Sequence, residues 1–314
     1  MLSMEIHKAV LLLLCLVQSL PSSVKNSFRL IEDVAYLPTG EPRQKLDLFL
    51  SPGLEDPHTG PSTIKIVTRP LIVWIHGGGW QSGDKKSARR DDRLPEILKT
   101  GRYLGASLNY RLSHQAKWPA QMQDCRAAIR WLRGNADQYG INPQKIAVWG
   151  SSAGGHLASM LGVLSTGNEE EVLSSQVQAV INYYGPSTFL RMDDYPSKIV
   201  HHSPHSPESR LLGFPIRQNR KLAREASPFH HVISNLVPFI HFHGTRDQLV
   251  PYNQSLIFHQ KLLSSGNSSR LITVTNGGHT MPGSFTKKLV IPFLDFHFHN
   301  RGVLPESQKI NLPK

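Results

Sequence analysis

The 314-residue sequence predicts a three-layer α/β fold: a mostly parallel central sheet, helices on both of its faces and a cap inserted over one end. Three observations carry this expectation. First, apolar runs recur at Leu71 to Ile75, Tyr103 to Tyr110, Lys145 to Trp149, Val177 to Tyr183, Pro238 to His243 and Leu271 to Thr275, alternating with stretches of helical spacing. Parallel strands buried on both faces read as such continuous runs. Second, the run ending at Trp149 feeds Gly150-Ser151-Ser152-Ala153-Gly154 and then a helical stretch, Gly155 to Leu161. Third, the run ending at Ile75 feeds His76-Gly77-Gly78-Gly79-Trp80.

The chain opens with Lys8 and a short apolar run, Ala9 to Val17, followed by polar and small residues to Ser23. That run is too short to span a bilayer, and the pattern reads as a secretory signal peptide over residues 1–23. Residues 24–314 then form one domain, exported from the cell or to the periplasm and without stable membrane insertion. Phe28 to Leu37 and Lys45 to Leu50 flank a Pro/Gly turn and read as an antiparallel strand pair. A Pro/Gly-rich loop, Ser51 to Ser62, leads to the Leu71 strand. Lys85 to Thr100 reads as a polar helix, and Pro119 starts an amphipathic helix running to Gly140, before Asn142-Pro143 interrupts. Residues 183–235 are too long for a plain crossover and read as a cap or lid.

The two glycine motifs carry chemistry. A strand–turn–helix around Gly-x-Ser-x-Gly lifts one serine hydroxyl, that of Ser152, to a helix N-terminus. Side chains at positions 150 and 154 would collide with the neighbouring strand and helix where the backbone bends so tightly. His76-Gly-Gly-Gly-Trp80 suits an oxyanion hole, since N–H groups of Gly77 and Gly78 converge there without side chains in the way, and Ala153 supplies a third N–H. A serine nucleophile needs a base, and the base an orienting acid. Asp247 follows one strand run on a loop and His279 follows the next after Gly277-Gly278, giving the chain order Ser152, Asp247, His279. Asp194 is the next acid in line. His241, His243 and His297 read as packing residues.

These pieces resemble the α/β-hydrolases of the hormone-sensitive-lipase and carboxylesterase-like group. The matching residues are His76 to Trp80, Ser107 to Leu112, Trp118 to Ala120 with Asp124, Gly150 to Gly155, His243 to Asp247 and Gly277 to His279, spanning roughly residues 45 to 300. The resemblance implies an α/β-hydrolase fold, an oxyanion hole at Gly77, Gly78 and Ala153, and a triad of Ser152, Asp247 and His279. Ser151 stands where the better-known lipases of the group carry an acidic residue. That departure leans toward small esterases, including acetylxylan- and feruloyl-esterase-like enzymes.

Composition narrows the rest. The net charge is +12, which favours acidic partners. No nucleic-acid module is recognisable, however, and the Lys and Arg are scattered (Lys85-Lys86, Arg89-Arg90, Arg217 to Arg224), as on solvated faces. With Cys15 in the signal, Cys125 stands alone and reads as a small buried hydrophobe. His201, His202 and His205 lack an acid or Cys at ligand spacing, so no metal is expected. The expected activity is ester hydrolysis through an acyl-enzyme on a small-molecule or carbohydrate-linked ester, which needs no cofactor. The same parts would serve an amide hydrolase of formamidase or oligopeptidase type, or a catalytically silent scaffold.

Overall fold

The computed structural model describes residues 28–50, 67–89, 93–164 and 173–312. The expected signal segment and the Ser51 to Ser62 loop lie outside these. Strands β1 (Arg29–Ala35), β2 (Lys45–Leu50), β3 (Arg69–Ile75) and β4 (Leu104–Leu108) are followed by β5 (Ile141–Ser151), β6 (Ala179–Tyr183), β7 (Phe239–Gly244), β8 (Ser269–Thr275) and β9 (Gln308–Asn311). They form one sheet in the order β1-β2-β4-β3-β5-β6-β7-β8-β9. The pairings β1–β2 and β2–β4 are antiparallel and all the others parallel. The helices are α1 (Leu94–Leu98), α2 (Ala120–Gly134), α3 (Ala136–Tyr139), α4 (Ala153–Val163), α5 (Pro207–Leu212), α6 (Arg220–Glu225), α7 (Asn253–Ser264) and α8 (Ile291–His299).

The apolar runs are continuous because each parallel strand buries both faces. Leu71, Val73 and Ile75 of β3, with Ile146 and Val148 of β5, face a core shared with Ile129 of α2, Leu157 of α4 and Phe258 of α7. Ile72, Trp74, Ala147 and Trp149 alternate to the opposite face, where Ile97 of α1 and Phe293 of α8 close a second core. Two apolar layers around one sheet make the three-layer architecture.

Three expectations need correction. The amphipathic helix does not run unbroken to Gly140: α2 ends at Gly134, Asn135 leaves helical geometry, and α3 is closed by Gly140 at φ +64°. Lys85 to Thr100 is not one polar helix but a 3-10 turn, Lys85–Arg89, followed by α1. Nor is Lys85 on a solvated face. It is 2% exposed, with Nζ 2.6 Å from Asp47 Oδ1 and 2.8 Å from Asp33 Oδ1, because the turn packs it against the buried carboxylate of β2. Strand β9, exposed and polar along most of its length, extends the sheet past β8 where sequence pattern gave no signal.

Between β6 and β7 the chain forms 3-10 turns together with α5 and α6. Gln254 of α7 holds its start, with Oε1 accepting from Ser187 N–H at 2.9 Å and Thr188 N–H at 2.8 Å. His156 of α4 holds its far end through a 2.6 Å contact between Nε2 and the Ala226 carbonyl. No helix among the described residues is long and apolar enough to cross a membrane.

Candidate active site

Ser152 sits between β5 and α4 at φ +54°, ψ −123°, a conformation L-residues rarely adopt. Its N–H donates to Tyr183 O at 2.8 Å, and its carbonyl accepts from His156 N–H at 3.0 Å. The turn leaves no room beside it. A Cβ on Gly150 would lie 2.1 Å from Gly154 O, and one on Gly154 would lie 2.0 Å from Ile75 O at the end of β3. The collisions expected from the sequence are therefore with the start of α4 and the neighbouring strand.

Asp247 and His279 come together from loops after β7 and β8, with His279 Nδ1 2.7 Å from Asp247 Oδ2. The other carboxylate oxygen, Oδ1, accepts from Leu249 N–H at 2.9 Å and Val250 N–H at 3.0 Å. Burial raises the acid's pKa, but hydrogen bonds from His243 and His279 outweigh it and hold the carboxyl well below the usual range. A carboxylate oxygen only accepts, so His279 Nδ1 carries the hydrogen and Nε2 is left bare. The His279 ring lies against Tyr184, centroids 4.4 Å apart. Asp194, the alternative acid, pairs with Arg191 at 3.0 Å on an exposed turn.

Ser152, His279, Gly77, Gly78 and Ala153 line one cavity of about 480 Å³. Ala153 opens α4, so its N–H belongs to the first-turn donors that have no intrahelical acceptor. Trp80, 2% exposed and edge-on to His156 and Phe189, anchors the glycine loop in the core. The cavity walls are apolar at Tyr184, Pro186, Ile199, Leu249 and Val250 and polar at Gln81, His201 and Glu208.

Three histidines are placed otherwise than the sequence indicated. His243 is no mere packing residue: Nε2 lies 3.2 Å from Asp247 Oδ2 and 2.9 Å from Val250 O, while Nδ1 lies 2.8 Å from Ser255 Oγ. Its place four residues before Asp247, at the end of β7, is the signal that could have found it. His201 does have an acid partner, Glu208, seven residues on; Nδ1 and Oε1 are 3.0 Å apart and both side chains are buried. The pair braces the cavity wall, while half-buried His202 has Asp193 beside it, Nδ1 3.2 Å from Oδ2, and His205 is exposed. Cys125 is fully buried, as expected, and burial pushes its thiol up.

The fold and this arrangement of loops at the strand ends define an α/β-hydrolase. The chain belongs to the BD-FAE family, whose model matches residues 61–262. It is 27% identical to the esterase LipC of Mycobacterium tuberculosis over 241 residues, 73% of this chain and 54% of LipC. The chain spans about half the length of the curated relatives it matches. Among solved structures, a truncated carbohydrate esterase from gut microbiota superposes with TM-score 0.72 at 27% identity, covering 87% of this chain and 98% of that one. The butyrate-bound thermophilic esterase Est2 of Thermogutta terrifontis gives TM-score 0.63 at 27% identity, covering 88% and 95%.

Proposed function

We propose that the protein is an exported serine esterase that hydrolyses carboxylic esters through an acyl-enzyme. The observation that carries this reading is that His279, paired with Asp247 at 2.7 Å, lines the same cavity as Ser152 and the glycine loop. His279 Nε2 takes the proton as Ser152 Oγ attacks the ester carbonyl; Asp247 fixes the tautomer and stabilises the imidazolium. N–H groups of Gly77, Gly78 and Ala153 receive the oxyanion. His279 returns the proton to the departing alcohol, and water repeats the cycle to free the acid and restore Ser152.

Short acyl groups, or acyl groups carried on carbohydrate, are the proposed substrates. The likeness to a carbohydrate esterase and to a butyrate-bound esterase supports this, as does the modest cavity. Residues 183–235 act as the cap, supplying Tyr184, Ile199, His201 and Glu208 to the wall. Export rests on the basic and apolar start of the chain, and N-terminal sequencing of the exported protein checks it.

The function is tested with p-nitrophenyl acetate, butyrate, octanoate and palmitate, comparing the protein with Ser152→Ala. Turnover of the shorter esters is expected, falling on the order of 10³-fold or more in the variant. A protein inactive on every ester but active on an aryl formamide would move the reading to amide hydrolysis, and one inactive on both would make the fold a scaffold.

A further inference from the structure

The glycine loop is held from behind by a side chain that the triad chemistry does not use. His76, 1% exposed, follows β3 directly, and its ring stacks on Tyr110 with centroids 4.3 Å apart and planes 14° from parallel. Nδ1 lies 2.7 Å from Gly77 O, and Nε2 lies 2.9 Å from Arg43 Nη2. A carbonyl oxygen only accepts, so Nδ1 carries the hydrogen; a guanidinium only donates, so Nε2 is bare. The two contacts fix one tautomer of a neutral ring. Burial depresses the His76 pKa to about 4, the Gly77 hydrogen bond opposes this, and the Arg43 charge adds to it.

The consequence reaches the oxyanion donors. In a trans peptide the C=O of one residue and the N–H of the next point in opposite directions. With the Gly77 carbonyl held by His76, the Gly78 N–H is held turned away from that ring. Were the hydrogen on Nε2 instead, the bare Nδ1 would face the carbonyl oxygen, two lone pairs would repel, and the Gly77–Gly78 peptide would rotate. Arg43 forbids that tautomer. Its other contacts are its Nε–H to Tyr110 O at 3.2 Å and a 3.6 Å approach to Asp84, an ion pair of the partly exposed kind that adds little stability.

We propose that Arg43 is a positioning residue for the oxyanion hole, acting through the tautomer of His76 on the Gly77–Gly78 peptide. The inference rests on the serine-esterase reading above and adds a residue from outside the glycine motif to it. An oxyanion donor acts in the transition state, so its misplacement lowers kcat and leaves KM in place.

The test compares Arg43→Met and Arg43→Lys in the full chain with p-nitrophenyl acetate, together with the affinity of a trifluoromethyl ketone that mimics the tetrahedral intermediate. Arg43→Met is expected to lower kcat about 10- to 100-fold with KM within about twofold, and to weaken the ketone by the same factor. Arg43→Lys, which keeps a charged donor, recovers most of the rate. In a His76→Phe background Arg43→Met costs nothing further, since it acts through the ring already removed. Equal losses in both backgrounds, or a change confined to KM, overturn the proposal. Nitrogen NMR of labelled histidine in the unaltered protein decides it separately, even if Arg43→Met does not fold or no ester is turned over. An Nδ1–H, neutral His76 at pH 7 supports the relay, and an Nε2–H ring overturns it, whereas absence of turnover in the unaltered protein counts against the esterase reading alone.

Discussion

His243 Nε2 lies 3.2 Å from Asp247 Oδ2, the same oxygen that receives His279 Nδ1. Two imidazoles and two backbone N–H groups therefore surround one carboxylate, and its direction is set from the β7 side as well as by its histidine partner. His243→Gln is expected to lower kcat/KM about tenfold through a looser acid, whereas Asp247→Asn, which removes the charge itself, lowers kcat by about 10⁴. Asp194→Asn should leave both constants within about twofold. Steady-state kinetics on the three variants decides; a large effect at Asp194 would transfer the acid's role there.

The turn at Ser152 makes a steric prediction. Gly154→Ala introduces a methyl group 2.0 Å from a backbone oxygen of β3, which cannot yield without moving the central sheet. A loss of about 3 kcal/mol or more in unfolding free energy is expected, together with loss of turnover. Thermal and urea unfolding of the purified variant would show it, and a stable, active Gly154→Ala would contradict the geometry.

Acid stability follows from buried histidines, His76, His156 and His241 among them. Burial lowers His76 and His156 to about 4, while the same side chains in the unfolded chain titrate near about 6.5. Between those values the unfolded chain binds more protons, so stability falls as pH drops through that window, by about 1.4 kcal/mol per pH unit for each proton of difference. Asp247 extends the trend: its depressed carboxyl contributes stability that is present above about 3.9 and lost as pH falls toward its folded value. Calorimetric melting at a series of pH values should show the decline, and His156→Phe should make the slope shallower by one proton. A flat profile from pH 6.5 to 4 would contradict the burial of these rings.

The Lys85 cluster ties the 3-10 turn to β2. Lys85→Met would leave Asp47, fully buried, with Arg89 as its remaining cation, and is expected to cost about 3–5 kcal/mol in urea unfolding. Lys86→Met, on an exposed neighbour, should change stability by less than about 0.5 kcal/mol. Equal effects at the two positions would mean that the ion pairs around Asp47 do not hold in solution.

The sequence by itself determined the layer architecture, because strands buried on two faces must be apolar along their whole length, as Leu71 to Ile75 and Lys145 to Trp149 largely are. It also singled out Ser152, Gly77 and Gly78, since a tight strand–helix turn and a loop that converges N–H groups restrict which residues fit, and that restriction is local. What joins distant parts of the chain was decided only by tertiary structure. That His243 shares Asp247, that Glu208 holds His201, that Lys85 is buried on Asp47 and that Arg43 reaches His76 all depend on which loops meet at the strand ends. A histidine or a lysine looks the same in sequence whether solvated or partnered; burial and the hydrogen bonds that compensate for it set its role. Strand β9 was invisible for a related reason: it pairs along one edge only and packs little, so its backbone hydrogen bonds to β8 place it without any apolar period in the side chains.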